Sequence, residues 1–299
     1  MKNDVLVIGD CILDHDIFCD SIGLSLETPT LKTKLSKERF LYGGTANVVE
    51  HLLELNNSVT FITAVAYDKY SDILLALEKN NNLNLVPLFY EGKNVIKSRY
   101  WVSRGSNIYK YLQINQGSKI FDIKLIDNLK NVLKTNPKIN KAILIDYGNG
   151  LLGSDENVQK IISILKNNNI SVFCGSQKSD REVTYQQFKG SDVICMNSYE
   201  AESAIETLNC SDFNNFAKLL KSNLCITDGP NGCFYHTNKS TTYYSSFEVN
   251  CIDPCGAGDA FLAALVTEED CVFANKWAAL SVTKLGTEVP KLEEINDIK

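Results

Sequence analysis

The residues best placed to do chemistry lie in Cys251-Ile252-Asp253-Pro254-Cys255-Gly256-Ala257-Gly258-Asp259, which runs into the apolar helical stretch Ala260-Phe261-Leu262-Ala263-Ala264-Leu265. Glycines at a helix entrance leave backbone N–H groups uncovered. Together with the positive end of the helix dipole they make a seat for an anion such as phosphate. Asp259 stands in the same turn. An aspartate there is either a cap or dipole partner, or a general base for a hydroxyl group brought beside the phosphate. Neither a P-loop nor a G-x-G-x-x-G after the first strand is present, so Gly256, Ala257 and Gly258 form the strongest phosphate seat in the chain.

Three further sets accompany it. Gly43 and Gly44 precede a helical pattern carrying Asn47, and Asp10 and Asp14 follow the first apolar run. Carboxylate, amide and bare glycine backbone suit a polyol, although a capped turn has the same composition. Asn197 and Glu200 fit a capping box, or order water around Mg²⁺ on nucleotide phosphates. Thr227, Gly229 and Gly232 read as a hairpin turn, or as a loop near a ribose and its phosphates.

These residues need a scaffold that gathers them. Val5–Ile8, Val59–Val65, Ala142–Asp146, Ile170–Cys174, Asp192–Asn197 and Leu224–Gly229 are short apolar runs separated by helical patterns. Such alternation predicts an α/β fold, with a mostly parallel sheet covered by helices on both faces. Asp10, Asp146, Asn197 and Asp228 follow those strands, on the carboxyl edge where open sheets bind ligands. Residues 12–42 and 95–116 alternate differently. Around Gly105-Ser106-Asn107 they suggest a hairpin, and together they predict a small β lid on a single domain spanning 1–299. Exposed lid edges predict a homodimer formed through the lid.

The 299 residues are 44% hydrophobic and carry a net charge of −6. An acidic surface argues against nucleic-acid binding. No apolar run reaches the roughly 20 residues of a membrane span, and the N-terminus lacks a signal-peptide core, so a cytoplasmic protein that does not enter membranes is expected. The 10 cysteines form no C-x₂-C pair and are expected to be buried, reduced thiols; the 3 histidines form no metal set.

Gly43-Gly44-x-x-Asn47, Asn197-x-x-Glu200, Thr227-x-Gly229-x-x-Gly232 and Asp253-x-x-Gly256-Ala257-Gly258-Asp259 occur in this order. The set resembles the ribokinase (PfkB) family of sugar and nucleoside kinases over essentially the whole chain. Gly9-Asp10-x-x-Leu13-Asp14, Ser25-x-Glu27-x-Pro29, Asp146-Tyr147-Gly148-x-Gly150, Phe273-Ala274-Asn275 and Lys284-Leu285-Gly286-Thr287 are similar to the branch that phosphorylates D-glycero-β-D-manno-heptose 7-phosphate at O1. The resemblance implies a ribokinase-like fold, ATP as donor, Mg²⁺, and a sugar or sugar phosphate as acceptor. It implies Asp259 as the base and the Gly256–Gly258 amides as the anion hole. Asn197 and Glu200 would hold Mg²⁺ through water. Asp10, Asp14, Gly43, Gly44, Asn47 and Asp146 would face the sugar. Thr227, Gly229 and Gly232 would lie by the nucleotide, with Asn275 and Lys284 beside adenine. Arg104, on the proposed hairpin, is either a ligand for a substrate phosphate or a surface arginine. The sequence departs from that branch at Asn149 and at Gly175-Ser176-Gln177, where the branch carries lysines; Lys178 is the nearest replacement cation. A kinase of another free sugar, and a non-catalytic sugar- or nucleotide-binding regulator, are the other readings.

Overall fold

The computed structural model describes residues 3–105, 107–121, 123–177 and 183–298, so Lys178 lies outside the described residues. Strand β1 (Asp4–Gly9) explains the apolar runs. Val5 and Val7 enter one core while Leu6 and Ile8 enter a second, on the opposite face of the sheet. A strand buried on both faces needs apolar side chains at every position.

From β1 the chain runs through β2 (Cys11–Leu24), β3 (Leu31–Gly44), α1 (Thr45–Glu54), β4 (Ser58–Ala66), α2 (Ser71–Leu75), β5 (Leu83–Tyr90), β6 (Val95–Arg104), β7 (Asn107–Gln116) and α3 (Leu125–Thr135). It continues through β8 (Lys141–Asp146), α4 (Asp155–Asn167), β9 (Ser171–Ser176), β10 (Val193–Asn197), α5 (Ser198–Thr207), α6 (Phe213–Leu220), β11 (Asn223–Thr227), β12 (Cys233–His236), β13 (Thr241–Tyr244), α7 (Ala257–Glu268) and α8 (Cys271–Ser281).

The larger sheet has the order β13-β12-β11-β10-β9-β8-β1-β4-β5. Its strands from β5 to β11 are parallel, and β12 and β13 add an antiparallel edge. Helices α1, α7 and α8 supply one core with Leu52, Phe261 and Trp277; α3 to α6 supply the other with Leu129, Ile161, Ala204 and Phe216. This is the mostly parallel α/β sheet, covered by helices on both faces, that the alternation predicts.

The chain builds outward from β1 to β4 and β5, then returns to β8 on the other side. That reversal opens a crevice at the carboxyl ends of the strands. The smaller sheet, ordered β3-β2-β6-β7, begins one residue after β1 and returns directly into α1, so it stands at the same edge. Its edge strand β7 is exposed along its whole length.

All of the cysteines are free. The expectation that they are buried fails for Cys251, which is exposed, and holds only in part for Cys195, Cys210 and Cys255.

Candidate active site

Helix α7 begins without a side-chain cap. Its N-cap is Gly256, at φ 83°, where a Cβ would stand 2.8 Å from the Asn47 amide nitrogen. Both the left-handed backbone and the close neighbour require glycine. Ala257 N–H reaches the Pro254 carbonyl at 3.3 Å, while Gly258 and Asp259 lie in the first turn, which has no helical acceptors for its amides. A Cβ at Gly258 would meet nothing within 4 Å, so this side of the turn is open.

Asp259 does not cap its own helix. Its buried carboxylate accepts hydrogen bonds from Asn47 Nδ2 at 3.0 Å, Tyr147 Oη at 3.2 Å and Gln177 Nε2 at 3.3 Å. The donors come from the start of α1, the turn after β8 and the turn after β9. Burial pushes the Asp259 carboxyl up to about 6, against the bonds from Asn47 and Tyr147 and the charge of Lys97, which hold it down. The group is therefore ionised at neutral pH yet close to its protonation range, as a general base needs.

The carboxylate faces a cavity of about 650 Å³ that also takes in the Gly256–Gly258 turn, Asn197, Glu200, Thr227 and Gly229. Strand β6 closes the other side with Lys97 and Arg99. Arg99 is buried and pairs with Asp14 at 2.9 Å, and Thr287 Oγ1 donates to the same Asp14 oxygen at 3.2 Å. The second oxygen of Asp14 is buried without a hydrogen-bond partner, as are one oxygen of Asp10 and the amide oxygen of Asn47. Those of Asp14, which lines the cavity, and of Asn47, bonded to Asp259, are what a hydroxyl-rich ligand would satisfy.

Asn197 and Glu200 form the complete capping box of α5. Asn197 Oδ1 accepts from Glu200 N at 2.8 Å, and Glu200 Oε2 accepts from Asn197 N and from Tyr185 Oη, each at 3.0 Å. Capping does not remove them from the site, since both line the cavity. Among the described residues there, both cations sit on β6, and the arm from Asn197 to Gly229 offers carboxylate, amide and hydroxyl oxygens. That donor set fits a hard, hydrated divalent ion.

Asp14, Gly44, Asn197, Glu200, Thr227, Gly229 and the whole Gly256–Asp259 turn thus line one cavity, and Asn47 joins through its bond to Asp259. Gly43 lies behind Asp14, too close for a Cβ. Other candidates lie away from the lining. Asp10 and Asp146 form a buried acidic pair, in which burial and then Asp146 push Asp10 up to about 7. Asp146 accepts from Gly148 N–H. Gly232, at φ 99°, packs against the Tyr244 carbonyl. Asn275 donates to the Tyr244 and Ser245 carbonyls, and Lys284 pairs with Glu294.

Arg104 is exposed at the end of β6 and is not part of the lining. The extra residue of the register shift, Tyr111, lies on β7, so β6 keeps its alternation, and Arg104, five residues on from Arg99, falls on the face opposite Lys97 and Arg99. Lys97 and Arg99 carry no motif that marks them, while Tyr147 and Thr287 stand in stretches that carry the resemblance but were given no role. The one signal available was the shared face of alternate β6 residues.

The family described as pfkB family carbohydrate kinase matches residues 2–294. Proteins named "Bifunctional protein HldE" from Aliarcobacter butzleri and Haemophilus influenzae are 28% and 27% identical, each over 98% of this chain. The chain spans 64% and 63% of their lengths. Phosphofructokinase-2 from Escherichia coli has the same fold, with a TM-score of 0.75 at 17% identity over 100% of this chain and 98% of that one. Ribokinase from Thermotoga maritima gives 0.70 at 19% identity over 98% of both.

Proposed function

The chain belongs to the pfkB family of carbohydrate kinases, and from that premise we propose that it transfers the γ-phosphoryl group of ATP to O1 of D-glycero-β-D-manno-heptose 7-phosphate, giving the 1,7-bisphosphate. The observation that carries the reaction is the position of Asp259, held by three donors in the uncapped first turn of α7. The sugar hydroxyl gives its proton to Asp259 as its oxygen bonds to the γ-phosphorus, and the bond from that phosphorus to the β-phosphate oxygen breaks to release ADP. Amides of the Gly256–Gly258 turn receive the charge on the transferring group. Asn197 and Glu200 would hold Mg²⁺ through water, and the ion supplies charge neutralisation on the ATP phosphates.

Two observations support a phosphorylated acceptor. The resemblance to the heptose 7-phosphate branch agrees with the HldE relatives. Lys97 and Arg99 place cationic side chains on the cavity wall beside Asp14, where the acceptor would enter. The smaller sheet then acts as a lid over the sugar. Among the described residues no helix is long and apolar enough to cross a membrane, and the reading places the enzyme in the cytoplasm, where ATP is supplied. Ile108, Tyr111, Leu112 and Ile114 of edge strand β7 are exposed, which supports a homodimer through the lid; sedimentation as a monomer would contradict it.

The test is ATP consumption across a panel of sugars and sugar phosphates, with Asp259→Asn as control. Turnover is expected to be greatest with heptose 7-phosphate and to collapse in the variant. A preference for an unphosphorylated sugar would move the assignment to another substrate. Ligand binding without turnover on the whole panel would make the protein a regulator.

A further inference from the structure

Three cysteines, two on adjacent strands and the third on a later helix, converge behind the nucleotide arm of the cavity. Cys225 lies on β11 and Cys233 on β12, two positions apart on one face of that antiparallel pair, because Cys225 registers with Tyr235. Cys271 is the first residue of α8, which packs on the same face. All three are buried, and their sulfurs lie within 4.8 Å of one another. Cys225 Sγ and Cys271 Sγ are 4.0 Å apart.

That spacing is far from a disulfide. It is close to the separation of two thiolates on a shared ion: with metal–sulfur bonds of about 2.3 Å, ligand sulfurs stand about 3.8–4.0 Å apart in tetrahedral or trigonal geometry. We propose that Cys225, Cys233 and Cys271 form a binding site for one thiophilic divalent cation of the Zn²⁺ class. Each sulfur gives its proton to solvent on binding, and a water completes the fourth position.

Three surroundings favour this use over simple packing. Asn275, one turn after Cys271 on α8, donates Nδ2 to Cys233 Sγ at 3.5 Å; such a donor stabilises a ligating thiolate and holds it in place. Cys271 sits in the first helical turn, where the dipole favours a thiolate. A cavity of about 460 Å³ reaches Cys271 from the surface; of the carboxylates on its walls Glu269 pairs with Lys141 and Asp192 with Lys166, which leaves Asp270, next to Cys271, to draw in a cation. Three thiolates and a divalent ion leave one negative charge, which the Asn275 N–H and the α8 amides offset. The donor set is all sulfur, so it selects soft ions and rejects Mg²⁺. The site is thus separate from the one proposed for the nucleotide's metal.

The full chain, reduced and stripped with a chelator, would be titrated with Co²⁺ as a spectroscopic probe and then with Zn²⁺. A single Co²⁺ should bind with a thiolate-to-cobalt charge-transfer band and tetrahedral d–d bands. Zn²⁺ should displace it and raise the melting temperature. Cys271→Ser should lose the band, and Cys251→Ser, which alters an exposed cysteine outside the cluster, should keep it. Because substitutions in this core can disturb folding, the wild-type chain supplies a second readout. With Zn²⁺ bound, Cys225, Cys233 and Cys271 should be protected from alkylation, as mapped by mass spectrometry. No charge-transfer band in the wild type, a band that survives in folded Cys271→Ser, or protection mapping to other cysteines would each overturn the site.

Discussion

Asn47 Nδ2 stands 3.0 Å from Asp259 Oδ2, joining residues 212 positions apart in the sequence. The bond ties the first turn of α1 to the first turn of α7. Both helices start at a glycine of positive φ, Gly44 at 60° and Gly256 at 83°, and neither has a side-chain cap. Two positive helix ends therefore converge on one carboxylate, and the amide fixes its direction.

Removing that amide should weaken the base in a defined way. Asn47→Ala deletes a donor to the charged form of Asp259, so the carboxyl should rise above about 6. A hydrogen bond to a charged group contributes about 1.5–3 kcal/mol, which corresponds to a fall in kcat of roughly ten- to hundredfold if the geometry matters mainly in the transition state. The pH profile of kcat/KM checks it: the acid limb should move to higher pH. A fall in activity with an unmoved limb would mean that Asn47 acts only on substrate.

Asp259→Asn removes the base and keeps the shape. A fall in kcat of about 10²–10⁴ is expected, the usual contribution of a general base, with little change in the KM for ATP. The acid limb near pH 6 should disappear with the carboxylate whose titration produces it. Steady-state kinetics from pH 5 to 8 read both effects. Persistence of the same limb in the variant would assign it to another group.

The scaffold of this arrangement was legible because its causes are local or periodic. Doubly buried strands need unbroken apolar runs, and Gly256 stands at a helix entrance whose left-handed backbone and close Asn47 neighbour favour glycine. The capping box at Asn197 and Glu200 was equally plain, and only the fold shows that both also line the cavity. Lys97 and Arg99 were not legible, and Tyr147 was legible only as part of a stretch that carries the resemblance and not as a partner of Asp259, since what aims them is the pairing of β2 with β6 and the turn after β8. Arg104 drew attention by residue type alone. Gln177, read as a departure from lysine, turns out to bond Asp259, a contact that depends on the β8–β9 register and cannot be seen in a single strand.

Lys97 and Arg99 should separate in their effects. Lys97 is partly exposed and sits over the Tyr147 ring at 5.8 Å. Lys97→Met should raise the KM for a phosphorylated sugar and leave that for its unphosphorylated analogue nearly unchanged. Arg99→Met also strands the buried Asp14, and breaking a buried pair from one side costs about 3–5 kcal/mol. Denaturant unfolding should therefore reveal a large loss of stability for Arg99→Met and almost none for Lys97→Met. Equal stability losses would show that the Arg99–Asp14 pair is not a structural tie.

The two glycines of the anion seat make opposite predictions. Gly256→Ala forces a left-handed alanine, at about 1–2 kcal/mol, and sets a methyl 2.8 Å from Asn47 Nδ2. It should lower both the melting temperature and kcat. At Gly258 a methyl meets nothing within 4 Å, so Gly258→Ala should fold with unchanged stability. Its methyl enters the space where the phosphoryl group would lie, so kcat should fall all the same. If Gly258→Ala is fully active, the turn is not the phosphate seat.

Stability itself should fall as pH rises through neutrality, because of Asp10. Burial, reinforced by Asp146, pushes the Asp10 carboxyl up to about 7, although backbone N–H groups from Asn149, Leu151 and Tyr147 oppose the shift. In the unfolded chain the group titrates near its ordinary value of about 3.9. The folded state therefore holds its proton more tightly. The resulting stabilisation is complete below that ordinary value and is lost as pH rises through about 7. The difference between about 3.9 and about 7 corresponds to on the order of 4 kcal/mol. Asp259, raised to about 6, acts in the same direction. Asp10→Asn keeps an acceptor for the backbone N–H groups and cannot ionise, so it should be more stable than wild type at pH 8 and nearly equal to it at pH 4. Urea unfolding of the two proteins across that range measures the difference directly. A gap independent of pH would mean that Asp10 is held ionised in the folded protein, through a partner that outweighs its burial.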